Sequence, residues 1–177
     1  PPFWYPQGEE NYVGTIFVED VSNIIIRNNR FSNSVADDIH GWGLSNSIIA
    51  NNTFYGGERG VYLITNSTAN RITGNNCSIK NVCIELNGPP SVFDLTNSDN
   101  VISDNFIENS ESGIFLAGLD NNQIKNNIIS SNNYGIYLAG GSNGVIENNR
   151  INNSSFGIRV YYLNEDNIIN DNTVFNT

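Results

Sequence analysis

An asparagine-containing pair recurs along this sequence at nearly constant spacing, and this recurrence limits the available folds more than any other feature. The pairs are Asn28-Asn29, Asn51-Asn52, Asn75-Asn76, Asp104-Asn105, Asn126-Asn127, Asn148-Asn149 and Asp171-Asn172. Successive pairs are 22 to 24 residues apart, except for one interval of 29 residues. Self-similarity at this period is typical of solenoid proteins, in which each repeat adds one layer to a stack.

Each repeat carries short β segments rather than a helix. The template reads Asn-x-Ile-Ile-x-Asn-Asn-x-Ile, then several polar residues, then Gly-Ile-x-Leu. No segment has the apolar spacing of an amphipathic helix, whereas strands of three or four residues fit the pattern. Equivalent strands of successive repeats would stack into parallel sheets. We therefore predict an all-β fold, a parallel β-helix of about seven rungs over residues 11–177.

The second residue of each pair predicts an asparagine ladder. Its side chain both donates and accepts hydrogen bonds, so stacked copies can bond along the rod. Asparagine also tolerates the left-handed backbone of a tight corner. The predicted ladder comprises Asn29, Asn52, Asn76, Asn105, Asn127, Asn149 and Asn172. Strand alternation directs Ile and Phe side chains inward, with Thr73 and Ser78 as polar exceptions in the third repeat.

Composition and the irregular segments restrict the partners. A net charge of −10 argues against binding nucleic acid, and no apolar run approaches membrane-spanning length. Residues 1–10 contain three prolines beside Phe3, Trp4 and Tyr5. This segment is predicted to cap the stack, to bind a partner, or to be the stub of a longer protein. A loop insertion at residues 87–99 interrupts the repeat, and insertions in solenoids often lie on the binding face.

Two features bear on the compartment. Cys77 and Cys83 lie in one repeat and are either a disulfide of an exported protein or buried free thiols. Sequons for N-glycosylation occur at Asn51, Asn66, Asn76, Asn152 and Asn153. Together they favour an extracellular or cell-surface location.

The outward face of the Gly-Ile-x-Leu strand is a candidate carbohydrate-binding surface. Its predicted outward residues are Phe17, His40, Tyr62, Glu85, Phe115, Tyr137 and Arg159, and Trp42 lies beside them. Aromatic side chains repeated along a rod could stack against the rings of an extended glycan. The alternative is that aromatic residues simply suit strands and pack on each other.

A second candidate site is the segment Asp37–Trp42, which contains the one histidine of the chain. Alternation places Asp38 and His40 on one outer face, near Tyr62 of the next repeat. These three residues could perform acid–base catalysis on a polysaccharide. Asp37 and Asp38 could instead bind Ca²⁺, although no other cofactor is expected. The alternative is a structural turn in which the aspartates only cap the backbone.

A third feature is an aliphatic stripe outside the first strand of each repeat. It consists of Ile25, Ile48, Ile72, Val101, Val145 and Ile168, with Gln123 as its polar member. An exposed apolar stripe is typical of a contact surface. The stripe and the unpaired ends of the stack are therefore the predicted sites of self-association, which would assemble filaments or a surface layer.

The phrases Asn-Asn-Tyr-Gly-Ile-Tyr-Leu (132–138) and Val-Ile-Glu-Asn-Asn-Arg-Ile (145–151) resemble repeats of right-handed parallel β-helix proteins. The nearest group is the carbohydrate-binding and sugar-hydrolase β-helix repeat group, which includes the periplasmic copper-processing family and archaeal surface proteins. Asp38-Ile39-His40 is also similar to the Asp-Pro-His motif of mannuronan epimerases and related lyases, with Ile39 in place of proline. The resemblance implies a right-handed β-helix. For function, we expect a surface module that binds carbohydrate or is purely structural, with a lyase or epimerase as the alternative.

Overall fold

The computed structural model describes residues 15–88, 97–118 and 120–177. The predicted N-terminal segment 1–10 and the middle of the predicted insertion, residues 89–96, lie outside the described residues. The two ends of that insertion meet, because Nδ2 of Asn97 donates to the carbonyl oxygen of Asn87 at 3.0 Å. Among the described residues, no helix is long and apolar enough to cross a membrane.

The described residues form twenty-one strands in three parallel sheets of seven strands each. The long sheet contains β1 (Ile16–Glu19), β4 (Asp37–Trp42), β7 (Arg59–Ile64), β10 (Val82–Asn87), β13 (Ser112–Ala117), β16 (Tyr134–Ser142) and β19 (Phe156–Glu165). The second sheet contains β2 (Ile25–Arg27), β5 (Ile48–Ala50), β8 (Arg71–Thr73), β11 (Val101–Ser103), β14 (Gln123–Lys125), β17 (Val145–Glu147) and β20 (Ile168–Asn170). The third sheet contains β3 (Arg30–Ser32), β6 (Thr53–Tyr55), β9 (Asn76–Ser78), β12 (Phe106–Glu108), β15 (Ile128–Ser130), β18 (Arg150–Asn152) and β21 (Thr173–Phe175).

One strand from each sheet makes a layer, and seven layers stack as a parallel β-helix, as predicted. In six of the seven layers, the first residue of the predicted pair forms the corner between the second and third sheets. Its φ is positive at Asn28, Asn51, Asp104, Asn126, Asn148 and Asp171, and Gly74 takes this position in the third layer. These residue types accept the left-handed backbone most readily, so the chain turns at the same point in every layer.

The asparagine ladder is present, but its third member is Asn75 and not Asn76. Nδ2 of Asn52 donates to Oδ1 of Asn75 at 3.1 Å, and Nδ2 of Asn75 donates to Oδ1 of Asn105 at 3.0 Å. Asn76 is an exposed residue that begins β9. Since Gly74 replaces the first asparagine of the pair, the true pair in this layer is Gly74-Asn75, and the sequence prediction was shifted by one residue.

That shift also reverses the predicted faces of the third layer, because a one-residue slip moves every side chain of a strand to the opposite face. Ile72 and Cys77 are buried in the core, with exposures of 0% and 1%. Ile72 therefore does not belong to the outer stripe, where Arg71 aligns with Ile48 instead. Thr73 and Ser78, predicted to face inward, are only half-buried.

The core runs along the axis of the stack. Ile49, Ile72, Ile102 and Ile124 form one buried row with exposures of 0–1%, and Phe31 stacks on Phe54 at a centroid distance of 5.2 Å. Cys77 occupies the position of Phe54 in the next layer, where it forms a disulfide with Cys83. Of the two alternatives for these cysteines, the structure has the disulfide.

A second polar ladder, which was not predicted from the sequence, lies at the corner that precedes the second sheet. The backbone N–H of Ser47 donates to Oδ1 of Asn70, Asn70 donates to Asn100, and Asn100 donates to Asn122, at 2.9–3.0 Å. Its members occupy the second position of the repeat template, and the recurrence of asparagine there, at Asn70, Asn100 and Asn122, was the signal in the sequence. Two ladders satisfy buried corner backbone groups that would otherwise destabilise the fold.

Candidate functional site

The outward series of the long sheet has the predicted register. Phe17 aligns with His40, His40 with Tyr62, and Tyr62 with Glu85. Phe115, Tyr137 and Arg159 continue the row. Exposure along the row is not uniform, however. Phe17 is 49% exposed, whereas His40, Tyr62 and Glu85 are 1%, 8% and 8% exposed, and the last three residues are half-buried.

The buried part of this face is a polar cluster, which we define as Asp37, His40, Arg59, Tyr62 and Glu85. Nδ1 of His40 lies 2.8 Å from Oδ2 of Asp37. Arg59 donates from Nε to Oδ1 of Asp37 at 2.5 Å, and its Nη1 lies 3.5 Å from Oε2 of Glu85. The guanidinium carbon of Arg59 lies 3.7 Å from the centroid of the Tyr62 ring. Arg59 thus connects two buried carboxylates with an aromatic ring.

Burial and charge act in opposite directions within the polar cluster. Burial raises the pKa of Glu85, while the charge of Arg59 partly offsets that rise. Burial also raises the pKa of the Tyr62 hydroxyl, and the Glu85 carboxylate raises it further. For Arg59, burial lowers the pKa, but the carboxylates of Asp37 and Glu85 outweigh burial, so the net pKa is raised. Arg59 therefore stays charged and compensates the carboxylates.

Asp37, and not Asp38, is the aspartate beside His40. The prediction assumed strict alternation along β4, but residues 38 and 39 both face inward at the corner where the strand begins. Asp37 aligns with Arg59 and Ile39 with Val61, so Asp38 lies opposite Gly60. Equivalent positions in later layers hold Cys83, Gly113, Gly135 and Gly157.

We call these positions the glycine column, since backbone of the next layer passes close by. A Cβ on Gly60 would lie 2.7 Å from the carbonyl oxygen of Cys83, and one on Gly135 would lie 2.5 Å from that of Gly157. Asp38 places a carboxylate at this crowded inward position and is 0% exposed. The hydroxyl of Ser34 donates to its Oδ1, and Oδ2 has no hydrogen-bond partner among the described residues. Burial raises the pKa of Asp38 to about 6.

The structure gives the Ca²⁺ hypothesis no additional ligands. Within the described ranges, no group of three or more His, Cys, Asp or Glu side chains could hold a metal ion. Both carboxylate oxygens of Asp37 are already bonded to His40 and Arg59, and the Asp38 carboxylate accepts from Ser34. Cation binding at Asp37 and Asp38 stays a prediction. Trp42 ends β4 and is half-buried.

The half-exposed part of the same face is an aromatic cluster, which we define as Phe115, Tyr134, Tyr137, Phe156 and Arg159. The rings of Tyr134 and Phe156 stack at 5.2 Å with an interplanar angle of 11°. Tyr137 contacts both Phe115 and Tyr134 at centroid distances of 5.2 Å. Arg159 donates from Nη1 to the Tyr134 hydroxyl at 2.9 Å, and its guanidinium lies 5.0 Å from the Tyr137 centroid.

Tyr134 and Phe156 were missed because strict alternation would point them away from Tyr137 and Arg159. They precede Gly135 and Gly157 of the glycine column, just as Asp37 precedes Asp38. The residue before the column therefore faces outward together with the residue three positions later. The Gly of Gly-Ile-x-Leu was the signal in the sequence that could have identified this corner.

The predicted glycosylation sites lie at the surface. Asn51, Asn66, Asn76 and Asn153 are exposed, and Asn152 is half-buried. Their modification stays a prediction. None of them belongs to the polar or the aromatic cluster.

Comparisons with known proteins agree on the architecture. A family described as "Right handed beta helix region" matches residues 9–88 and 75–177. A search of curated proteins finds no match. Among solved structures, the A-module of mannuronan C-5 epimerase AlgE4 from Azotobacter vinelandii is similar, with a TM-score of 0.59 and 18% sequence identity. The match covers 89% of this chain and 57% of that chain, and at this identity it shows the fold alone.

Proposed function

Because the chain belongs to the right-handed β-helix family, whose fold hosts many functions, we infer its function from the side chains of the long sheet. We propose that the aromatic cluster on this sheet binds an extended carbohydrate. One observation carries the proposal. Phe115, Tyr134, Tyr137 and Phe156 form a contiguous set of rings that is incompletely buried and lies on a parallel sheet.

The chemistry of the cluster suits a sugar ligand. The apolar C–H faces of a pyranose ring pack against aromatic rings, while hydroxyl groups bond to nearby polar atoms. Arg159 and the Tyr134 hydroxyl supply such polar atoms between the rings. Successive layers repeat at about 4.8 Å, so the surface extends along the rod and matches an elongated ligand better than a compact one.

The location proposed for this activity is extracellular or at the cell surface. The disulfide between Cys77 and Cys83 supports it, because disulfides persist mainly in oxidising compartments. To test this point, the protein is isolated from its source without reductant and unfolded, and its free thiols are counted with a thiol reagent. Two free thiols in the isolated protein would contradict it.

Binding is tested by calorimetric titration with neutral and acidic oligosaccharides. Tyr137→Ala removes the ring that contacts two others, and we expect it to weaken binding on the order of tenfold. Tyr55→Ala is the matched control, since Tyr55 is 57% exposed but lies on the third sheet. Absence of binding to every oligosaccharide, or equal losses in both variants, would refute the proposal.

A second candidate function is acid–base catalysis on a polysaccharide, and the polar cluster favours it. Asp37 bonds to Nδ1 of His40, an arrangement that orients the ring and its other nitrogen. Arg59 and Tyr62 lie beside this pair. Since His40 is 1% exposed, catalysis also requires that substrate gain access to the ring.

Incubation with polyuronates, followed by ultraviolet absorbance for elimination products and proton NMR for epimerised sugars, tests catalysis. We expect His40→Ala to abolish any turnover and Tyr55→Ala to retain it. Unaltered turnover in His40→Ala would exclude the polar cluster as the catalytic site. Glycan binding by the aromatic cluster would survive that result.

A further inference from the structure

The second polar ladder is interrupted in the sixth layer. In the second to fourth layers, the backbone N–H of each ladder residue donates to the side-chain oxygen of the next, at 2.9–3.0 Å, in the series Ser47, Asn70, Asn100 and Asn122. The next position of the series is Gly144, since the N–H of the following residue, Val145, donates to the carbonyl oxygen of Asn122. Glycine has no side chain, so the ladder lacks one carboxamide at this step.

The missing carboxamide leaves a buried donor. Asn122 is 4% exposed, and its backbone N–H has no acceptor among the described residues. The ladder resumes one layer later, where the N–H of Gly144 donates to Oδ1 of Asn167 at 2.7 Å. A buried N–H without an acceptor is unfavourable, and such a group is usually bonded to ordered water where no protein atom accepts it.

A small cavity lies at the interrupted step. Its volume is about 10 Å³, which is the room that one water molecule needs. The wall combines Asn122 and Asn167 with inward apolar side chains such as Leu116 and Leu138, and Gly144 also lines it. Cavities with purely apolar walls stay empty, whereas a polar group on the wall favours water.

Acceptors border the same space. A Cβ built on Gly144 would lie 2.7 Å from Oδ1 of Asn167 and 3.5 Å from the carbonyl oxygen of Asn122. The place of the missing side chain is therefore flanked by two oxygen atoms and by the N–H of Asn122. Water both donates and accepts, as a carboxamide does, and a buried water makes two to four hydrogen bonds. One donor and two acceptors match that requirement.

We propose that the gap at Gly144 is a binding site for one buried water molecule, which replaces the absent carboxamide of the ladder. The water accepts the N–H of Asn122 and donates to Oδ1 of Asn167, so the hydrogen-bonded series continues through the sixth layer. The site adjoins Leu116 and Leu138 on the inner side of the long sheet. It is independent of whether the aromatic cluster on the outer side of that sheet binds a ligand.

Nuclear magnetic resonance of the isotopically labelled 177-residue chain tests the proposal. We expect a dipolar cross-peak between water and the amide of Asn122, with the sign that a long-lived bound water gives and chemical exchange does not. The amide of Asn100 is the internal control, since it donates to Oδ1 of Asn122 and should show no such peak. Absence of the peak at Asn122, or equal peaks at both amides, overturns the proposal.

Gly144→Asn supplies the carboxamide that the other layers have, and it should abolish the water cross-peak at Asn122. The added Cβ requires Oδ1 of Asn167 to shift, so the remaining amide signals check the fold, and the spectrum of the parent chain decides the proposal if the variant does not fold.

Gly118→Asn is the matched control. Gly118 is exposed with φ 66°, and a Cβ there would meet no described atom within 4 Å. Asparagine tolerates this left-handed backbone, so the variant should keep the cross-peak. Persistence of the peak in folded Gly144→Asn, or its loss in Gly118→Asn, would contradict a water bound at Gly144.

Discussion

Asp38 makes the stability of this protein depend on pH in a direction opposite to that of a salt-bridged carboxylate. It occupies a glycine-column position, is 0% exposed, and leaves Oδ2 without a hydrogen-bond partner among the described residues. Burial raises its pKa from 3.8 to about 6, the Ser34 hydroxyl partly opposes the rise, and the neighbouring Asp37 adds to it. The folded state thus binds this proton more tightly than the unfolded chain does.

The magnitude follows from the difference between the two pKa values. A rise of roughly two pKa units corresponds to about 3 kcal/mol at 1.36 kcal/mol per unit. The stabilisation by the proton is complete below the unfolded pKa of 3.8 and is lost as the pH rises through the folded pKa of about 6. Between about pH 4 and pH 8, this single group should lower the free energy of unfolding by roughly 2–3 kcal/mol.

The perturbation is Asp38→Asn, which removes the titration while keeping the acceptor for the Ser34 hydroxyl. Urea unfolding at intervals from about pH 4 to pH 8 measures the free energy of unfolding of both proteins. The difference between variant and parent should grow by roughly 2–3 kcal/mol over this range in favour of the variant. The introduced amide would carry buried N–H groups of its own, so the pH slope is the criterion and not the stability at one pH.

Asp171→Asn provides the control, since Asp171 is an exposed corner residue of the same type. Its stability curve should keep the pH slope of the parent chain. If Asp38→Asn has the same slope as the parent, the carboxylate of Asp38 is not buried in its charged form at high pH, and the inward orientation of the glycine column at this layer is wrong.

Three further tests probe the scaffold and the polar cluster by chemical denaturation. Asn75→Ala removes the acceptor for two donors of Asn52 and should cost about 3 kcal/mol, whereas Asn76→Ala should change stability by less than about 0.5 kcal/mol. A larger loss of stability in Asn76→Ala than in Asn75→Ala would show that Asn76 is the ladder member, as predicted from the sequence. Arg59→Met leaves Asp37 and Glu85 buried without their cation and should lower the free energy of unfolding by roughly 2–4 kcal/mol. Lys80→Met is its control, because it removes the 73% exposed partner of Glu58 and should leave the free energy of unfolding almost unchanged. Equal effects would mean that Arg59 is not needed to compensate the carboxylates. Replacing Cys77 and Cys83 together by alanine should lower the free energy of unfolding by about 2 kcal/mol or more, because the disulfide restrains the unfolded chain. No loss of stability would show that the bond is absent from the native protein.

The two halves of the long sheet suggest different roles for similar sequence positions. Residues at the outward position of β4, β7 and β10 are buried in an ion-paired cluster, and those of β13, β16 and β19 form partly exposed rings around Arg159. The repeat template is the same in both halves. The residue before the glycine column also differs: it is Asp37 or Arg59 in β4 and β7, and Tyr134 or Phe156 in β16 and β19.

Local chemistry along the chain was sufficient to predict the architecture. The recurrence of about 22 residues, the corner asparagines and the β-branched segments each depend on residues close in sequence, and they specify strand, turn and stacking direction together. For this reason the parallel β-helix and the outward row from Phe17 to Arg159 agree with the structure. The alternation of a strand is also local, and it held wherever the strand was extended.

Contacts between layers decided the rest. Asn75 and Asn76 both fit the local sequence pattern of a ladder residue, and only the hydrogen bonds to Asn52 and Asn105 identify Asn75 as the ladder member. At the start of the long strands, the close approach of the next layer turns two consecutive residues inward, so Asp37 and not Asp38 meets His40. Burial of His40 likewise depends on the residues of adjacent layers, which are more than twenty residues away in the chain. Tertiary packing therefore determined which side chains of a correctly predicted fold meet each other.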